Sequence, residues 1–146
     1  MRRSSLATAL IALAISSTAA LAVSPYHLMW SAKIAGKDGS KITGEATMKA
    51  GADGATTDVS VMLMGDDAGV TRPWHVHVGS CAKGGGVFGG GKSYTPITIE
   101  GSGHGMSKAT LMVAIPDTGS YYVNIHESAG NMGKIVACGD MMKHDM

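Results

Sequence analysis

The chain has 146 residues, with 12 basic against 11 acidic side chains, and is close to neutral at +1 with histidine uncharged. Arg2 and Arg3 sit ahead of an apolar run at the start, and the rest of the chain carries ten bases against eleven acids, or −1. Without a basic patch or a charge run, composition excludes the electrostatic footprint of a nucleic-acid binder or of a protein drawn to an anionic membrane surface.

Met1-Arg2-Arg3-Ser4-Ser5, the apolar run 6–19 and Ala20-Leu21-Ala22 form a positive n-region, an h-region and a small-x-small signal. This is the pattern of a secretory signal peptide, with cleavage expected after Ala22. A membrane anchor fits less well, because the run is short for a span and Ser16, Ser17 and Thr18 interrupt it. Removing residues 1–22 leaves 124 residues, which suits one compact domain over 23–139 with a short tail at 140–146. Export, most simply to a periplasm, places Cys81 and Cys138 in an oxidising compartment. There they either pair as a disulfide or serve as thiolate ligands for copper or zinc.

From here the chain reads as strands. Residues 26–35 alternate in bulk and end at Gly36-Lys37-Asp38-Gly39, where Asp-Gly signals a hairpin. Residues 41–49 answer that strand, Gly51-Ala52-Asp53-Gly54 turns the chain, and 57–64 alternate at period two with Val59, Val61 and Leu63 on one face. These three runs predict an antiparallel meander. A loop over 65–73 leads to a strand at Trp74-His75-Val76-His77-Val78. Beyond Cys81, Gly84-Gly85-Gly86-Val87-Phe88-Gly89-Gly90-Gly91 is too rich in glycine for a strand or helix. It is no phosphate loop either, since no correctly spaced Gly-Lys-Ser/Thr ends it and no helix pattern follows. Further strands are expected at 97–100, 107–115, 121–126 and 134–138, with a short loop over 127–133. About eight short strands and no amphipathic helix predict an all-β sandwich or barrel.

His75 and His77 stand two apart on a strand and therefore project to one face, away from Val76 and Val78. Such a pair is half of a metal site, or else two polar residues on a solvated sheet. A third histidine, His126, in the strand Tyr121-Tyr122-Val123-Asn124-Ile125-His126, favours the metal. His104, in a glycine turn, reads as a surface residue, and His27 as a solvated residue at a strand start. Met62, Met64, Met112 and Met132 read as packing. The ending Asp140-Met141-Met142-Lys143-His144-Asp145-Met146 is a terminal tail with a weak potential for gathering copper.

The hairpin turn, His75-Val76-His77-Val78-Gly79, Cys81, His126-Glu127, Asn131-Met132-Gly133 and Ala137-Cys138-Gly139 occur in an order that resembles the copper/zinc superoxide dismutase family over residues 32–139. The resemblance implies an eight-stranded Greek-key barrel, copper ligands at His75, His77 and His126, and a Cys81–Cys138 disulfide. The chain also departs from that pattern. No histidine or aspartate lies between Cys81 and Pro96, so the bridging histidine and the zinc site are missing, and zinc is not expected as a resident ion. The long guiding loop is cut to 127–133, and Ile135 stands where the family has an arginine that holds the anion. The expectation is an exported copper-binding protein for storage, delivery or tolerance, whose partners are copper and copper-trafficking proteins. Two alternatives remain: a copper-only dismutase acting on superoxide, and a β-sandwich interaction module with no metal role.

Overall fold

The computed structural model describes residues 28–145, and of Asp145 only the backbone. The predicted signal peptide, His27 and Met146 lie outside the described residues. The chain is nearly all β, an antiparallel sheet curled into a half-barrel. Its first strands are β1 (Leu28–Gly36), β2 (Thr43–Ala50) and β3 (Thr57–Met64). They form the expected meander, with Trp30 opposite Met48 and Met48 opposite Val59. Alternation in β3 buries Thr57, Val59, Val61 and Leu63 and turns the residues between them outward, as period-two geometry requires.

The next strands are β4 (Thr71–Arg72), β5 (Trp74–Val78), β6 (Ile97–Thr98), β7 (Gly105–Leu111), β8 (Tyr121–Ser128), β9 (Asn131–Asp140) and β10 (Met142–Asp145). The main sheet runs β5-β8-β9-β1-β2-β3-β7, and β10 also pairs with β1. One edge of β1 is thus divided, with β10 along Leu28 to Ser31 and β9 at Ala35 and Gly36. The short strands β4 and β6 form a separate two-stranded ribbon. Inside the curl lie Trp30, Met48, Leu63, Trp74, Val76, Leu111, Val123 and Ile125, all buried. Trp30 and Trp74 bury their indole N–H groups by donating to the carbonyls of Pro116 and Thr95, both at strand-flanking turns.

Several boundaries differ from expectation, each for a local reason. β8 and β9 run to within two residues of each other, so the loop expected over 127–133 contracts to a tight turn at Ala129 and Gly130. Residues 142–145 are not a free tail, because the vacant half-edge of β1 takes them as β10. The glycine-rich segment makes no strand, but Val87 forms an isolated bridge to His77 and a 3-10 turn follows at Gly91–Ser93. Methionines 62, 112 and 132, read as packing, are exposed to solvent.

Cys81 and Cys138 form a disulfide that ties the loop after β5 to β9 across 57 residues of sequence. The free-thiolate alternative is thereby removed. Closing a loop of that length lowers the entropy of the unfolded chain, which stabilises the fold by roughly 4 kcal/mol. Cys138→Ser should therefore lower the unfolding free energy by about that amount in oxidising buffer. Chemical denaturation measures it, and an unchanged midpoint would show that the bridge contributes nothing.

Candidate metal centre

His75, His77 and His126 are brought together on the outer face of the β5–β8 pair. In the register, Trp74 faces Ile125 and Val76 faces Val123 on the core side, while His75 faces Asn124 and His77 faces Tyr122 on the other. His126 is two residues beyond Asn124 and so returns to the histidine face. One ligand-capable atom of each ring lies within 4.8 Å of the others. A first-row ion with metal–nitrogen bonds of about 2.0–2.1 Å holds its nitrogens at most about 4 Å apart. A side-chain adjustment of about 1 Å or less closes the cluster onto an ion.

The outer ring atoms are fixed by backbone carbonyls. A carbonyl only accepts, so it locates the proton on the nitrogen that faces it. His126 Nδ1 donates to Met132 O at 2.6 Å, and His77 Nδ1 donates to Gly85 O at 2.9 Å. This leaves Nε2 of both rings unprotonated. His77 Nε2 is buried without a hydrogen-bond partner, a lone pair that a cation would satisfy. His75 Nδ1 lies 3.1 Å from His126 Nε2, which is an acceptor, so in the metal-free protein His75 Nδ1 carries the proton between them. The Nε2 of His75 faces the Gly91 backbone, where a Cβ on Gly91 would stand 3.5 Å from it, and that backbone favours a proton on the ring. Outer-shell carbonyls of this kind orient ring ligands in metal proteins.

Burial keeps His75 and His126 neutral. Burial first, and then the neighbouring His126 and His77, lower the pKa of His75 to about 4. Burial is also the main cause that lowers His126, against the Met132 carbonyl that raises it. Neutral imidazoles are what a metal needs, because a protonated ring has no lone pair to give.

A bulge places the Met132 carbonyl. Between the pairs Ile125–Ala137 and His126–Ile135, β9 advances two residues while β8 advances one, and a second irregularity precedes the Ser128–Asn131 pair. The extra residues turn β9 outward over the His126 ring, as bulges beside functional sites commonly do. The glycine-rich segment supplies the other carbonyl. It lies along the free edge of β5, with Val78 N–H bonded to Gly86 O and Phe88 N–H to Val76 O. A Cβ on Gly85 would stand 1.9 Å from the Val78 carbonyl oxygen, so only glycine allows the approach. Tyr94 packs edge-on against both Trp74 and His75, and Tyr122 stacks on His77 at 5.1 Å.

Arg72, which the sequence did not single out, is held in a bidentate ion pair by Asp66, with both bonds 2.7 Å, and also donates to Glu127 O. Burial alone would raise the Asp66 carboxyl, but the Arg72 hydrogen bond, the Asp67 N–H and the Arg72 charge bring it below its ordinary value. Arg72 clamps the loop before β5 to the end of β8, where His126 N–H donates to Pro73 O. Lys134 contacts Glu127, which also accepts from Asn131. Ile135 pairs with His126 across the strands. His104 lies exposed on the β3–β7 side, away from the three-histidine cluster, and His144 shares a hydrogen bond with Ser31 at 2.8 Å.

No protein-family model matches the chain, and no curated protein sequence matches it.

Two outcomes follow from this geometry. His75 is depressed in the fold, so the unfolded chain binds more protons between its ordinary pKa of 6.5 and about 4. The metal-free protein should thus lose stability as pH falls through that window and lose no more from His75 below it. Denaturation at a series of pH values tests this, with His75→Asn expected to flatten that part of the profile. Secondly, Gly85→Ala should displace the carbonyl that orients His77 and weaken metal affinity by about 10–100-fold. Competition with a chelator reads the change, and unchanged affinity would remove that carbonyl from the site.

Proposed function

We propose that this chain is an exported copper-binding protein on a superoxide dismutase-like Greek-key barrel, serving copper storage, delivery or tolerance. The observation that carries the reading is the three-imidazole cluster with His77 Nε2 buried and unpartnered. A module without a metal role has no reason to bury that lone pair, since an unsatisfied polar atom costs on the order of 1–3 kcal/mol. Copper is preferred over other divalent ions because a nitrogen-only site follows the general affinity order, in which copper stands highest. A three-coordinate imidazole set also accommodates Cu(I). The disulfide is compatible with export.

Carriage is preferred over dismutation on electrostatic grounds. Turnover of superoxide needs a preorganised cation beside the metal to hold the anion. The two cations that contact the end of β8 are both engaged, Arg72 by Asp66 and the Glu127 carbonyl, and Lys134 by the Glu127 carboxylate. Ile135 offers no charge at all.

The test is superoxide consumption by copper-loaded protein, with copper and zinc content determined on the same sample after exposure to both ions. The reading expects about one copper per chain retained after dialysis and negligible turnover, whereas rapid turnover makes the protein a copper-only dismutase. Zinc in place of copper, or no metal, overturns the copper assignment. His126→Ala should reduce copper affinity by roughly 100-fold or more, beyond what loss of an outer-shell group costs, while the fold persists. Unchanged copper binding in that variant would place the ion elsewhere.

A further inference from the structure

On the outer face of the β3–β7 pair, four soft or borderline donors come together far along the chain from His75, His77 and His126. The register sets Met62 directly opposite Met106. Opposed residues on one face of an antiparallel pair have Cβ atoms about 4.5–5.5 Å apart. Two pairs further along the same face, Asp58 and Thr110 are opposed as well, and their side chains are in contact at 2.7 Å. The ladder continues beyond Met62 in the other direction. Leu63 pairs with Gly105, and past it Asp66 N–H reaches Gly103 O at 3.3 Å, so Met64 and His104 lie alongside each other between these two contacts. Met62, His104 and Met106 line one surface depression together with Glu100.

Packing does not account for these methionines. Met106 is 67% exposed and Met62 36%, on a sheet face whose other outward residues, such as Asp58, Lys108 and Thr110, are polar. A methionine side chain has three rotatable bonds, so two opposed thioethers can converge on a point above the sheet. Thioether sulfur with imidazole nitrogen is a donor set for soft monovalent d10 ions, and one that hard divalent ions decline. His104 stands on a constrained turn, in which Glu100 N–H bonds to His104 O and Gly103 N–H to Glu100 O. The turn thereby fixes the His104 backbone at the depression, which Glu100 also lines, and a carboxylate there favours a cation.

We infer that Met62, Met64, Met106 and His104 form a second, solvent-facing site for a soft monovalent cation, copper(I) or its analogue silver(I). The inference does not depend on what occupies the three-histidine centre, because none of the donors is shared between the two places. Copper(I) captured at the surface in this way is exchangeable, whereas the half-buried imidazole cluster would release its ion more slowly.

The experiment is a titration of the 23–146 chain with silver(I), followed by the methionine methyl and histidine ring resonances in NMR. The methyl groups of Met62, Met64 and Met106 and the ring of His104 should shift together and saturate with one equivalent of ion beyond the equivalent that moves the rings of His75, His77 and His126. The buried Met48 should stay still, and the isolated, exposed Met112 and Met142 should respond only at higher concentration. In Met62→Leu/Met106→Leu the His104 shift should need at least a tenfold higher silver(I) concentration, with an unchanged urea midpoint showing that the fold is kept. The inference is overturned if Met112 titrates as tightly as Met62 and Met106, if the three methyl groups do not move, or if the double variant binds as before.

Discussion

The candidate metal centre depends on one constraint, which is that a backbone carbonyl can only accept a hydrogen bond. Gly85 O and Met132 O each face the outer nitrogen of a histidine, so the protons of His77 and His126 point away from the cluster. Three rings with lone pairs directed at a common point would repel one another if nothing stood between them. Between His75 and His126 that role falls to a shared proton at 3.1 Å. A cation in the same place would satisfy all three nitrogens at once, including His77 Nε2, which has no partner otherwise. Low solvent access strengthens this preference by keeping His75 and His126 neutral.

The rest of the structure delivers those carbonyls. Gly85 and Gly91 belong to the segment that lies along the free edge of β5, close enough that a side chain at Gly85 would strike the Val78 carbonyl. The disulfide from Cys81 to Cys138 anchors the start of that segment to β9, and Cys81 N–H is held by Asp140 at 2.7 Å. On the opposite side, the β9 bulge presents Met132. Arg72 closes the arrangement by holding the entry to β5 against the end of β8 through its bonds to Asp66 and Glu127. The polypeptide that surrounds the rings is therefore irregular backbone fixed at several points, while the rings themselves stand on regular strands. This division is the usual one between a rigid scaffold and the loops that finish a site.

Much of this was legible from residue pattern. The period-two runs predict the meander of β1, β2 and β3, and the spacing of His75 and His77 places both on one face because a strand alternates. Which strand pairs with β5 is a long-range fact, so His126 could be nominated from its own strand pattern but its distance could not. Glycine content shows that residues 84–91 lack regular structure, and it hides that the Gly85 carbonyl orients His77, because carbonyls are common to every residue and carry no sequence signal. Arg72 was passed over for the same reason, since its partner Asp66 is local but its second acceptor is the Glu127 backbone. The Asp66-x5-Arg72 charge pair, containing the single arginine beyond Arg3, is the signal available. Residue type alone reads Met62 as packing because methionine usually packs; only the register shows that it lies on the outer face of β3, opposite Met106 on β7. The strand at Met142–Asp145 was missed because its pairing half-edge on β1 exists only once β9 has claimed the other half.

The most direct measurement of the central claim is the protonation of the ring nitrogens, read by long-range proton–nitrogen NMR before and after one equivalent of copper(I). The account predicts Nδ1–H on all three rings in the metal-free protein. With copper(I), His77 and His126 keep Nδ1–H and their Nε2 atoms shift on coordination, while His75 moves its proton to Nε2, toward the Gly91 backbone. Ring nitrogens that do not respond to copper(I), or a proton found on the inner Nε2 of His77 or His126, would contradict it.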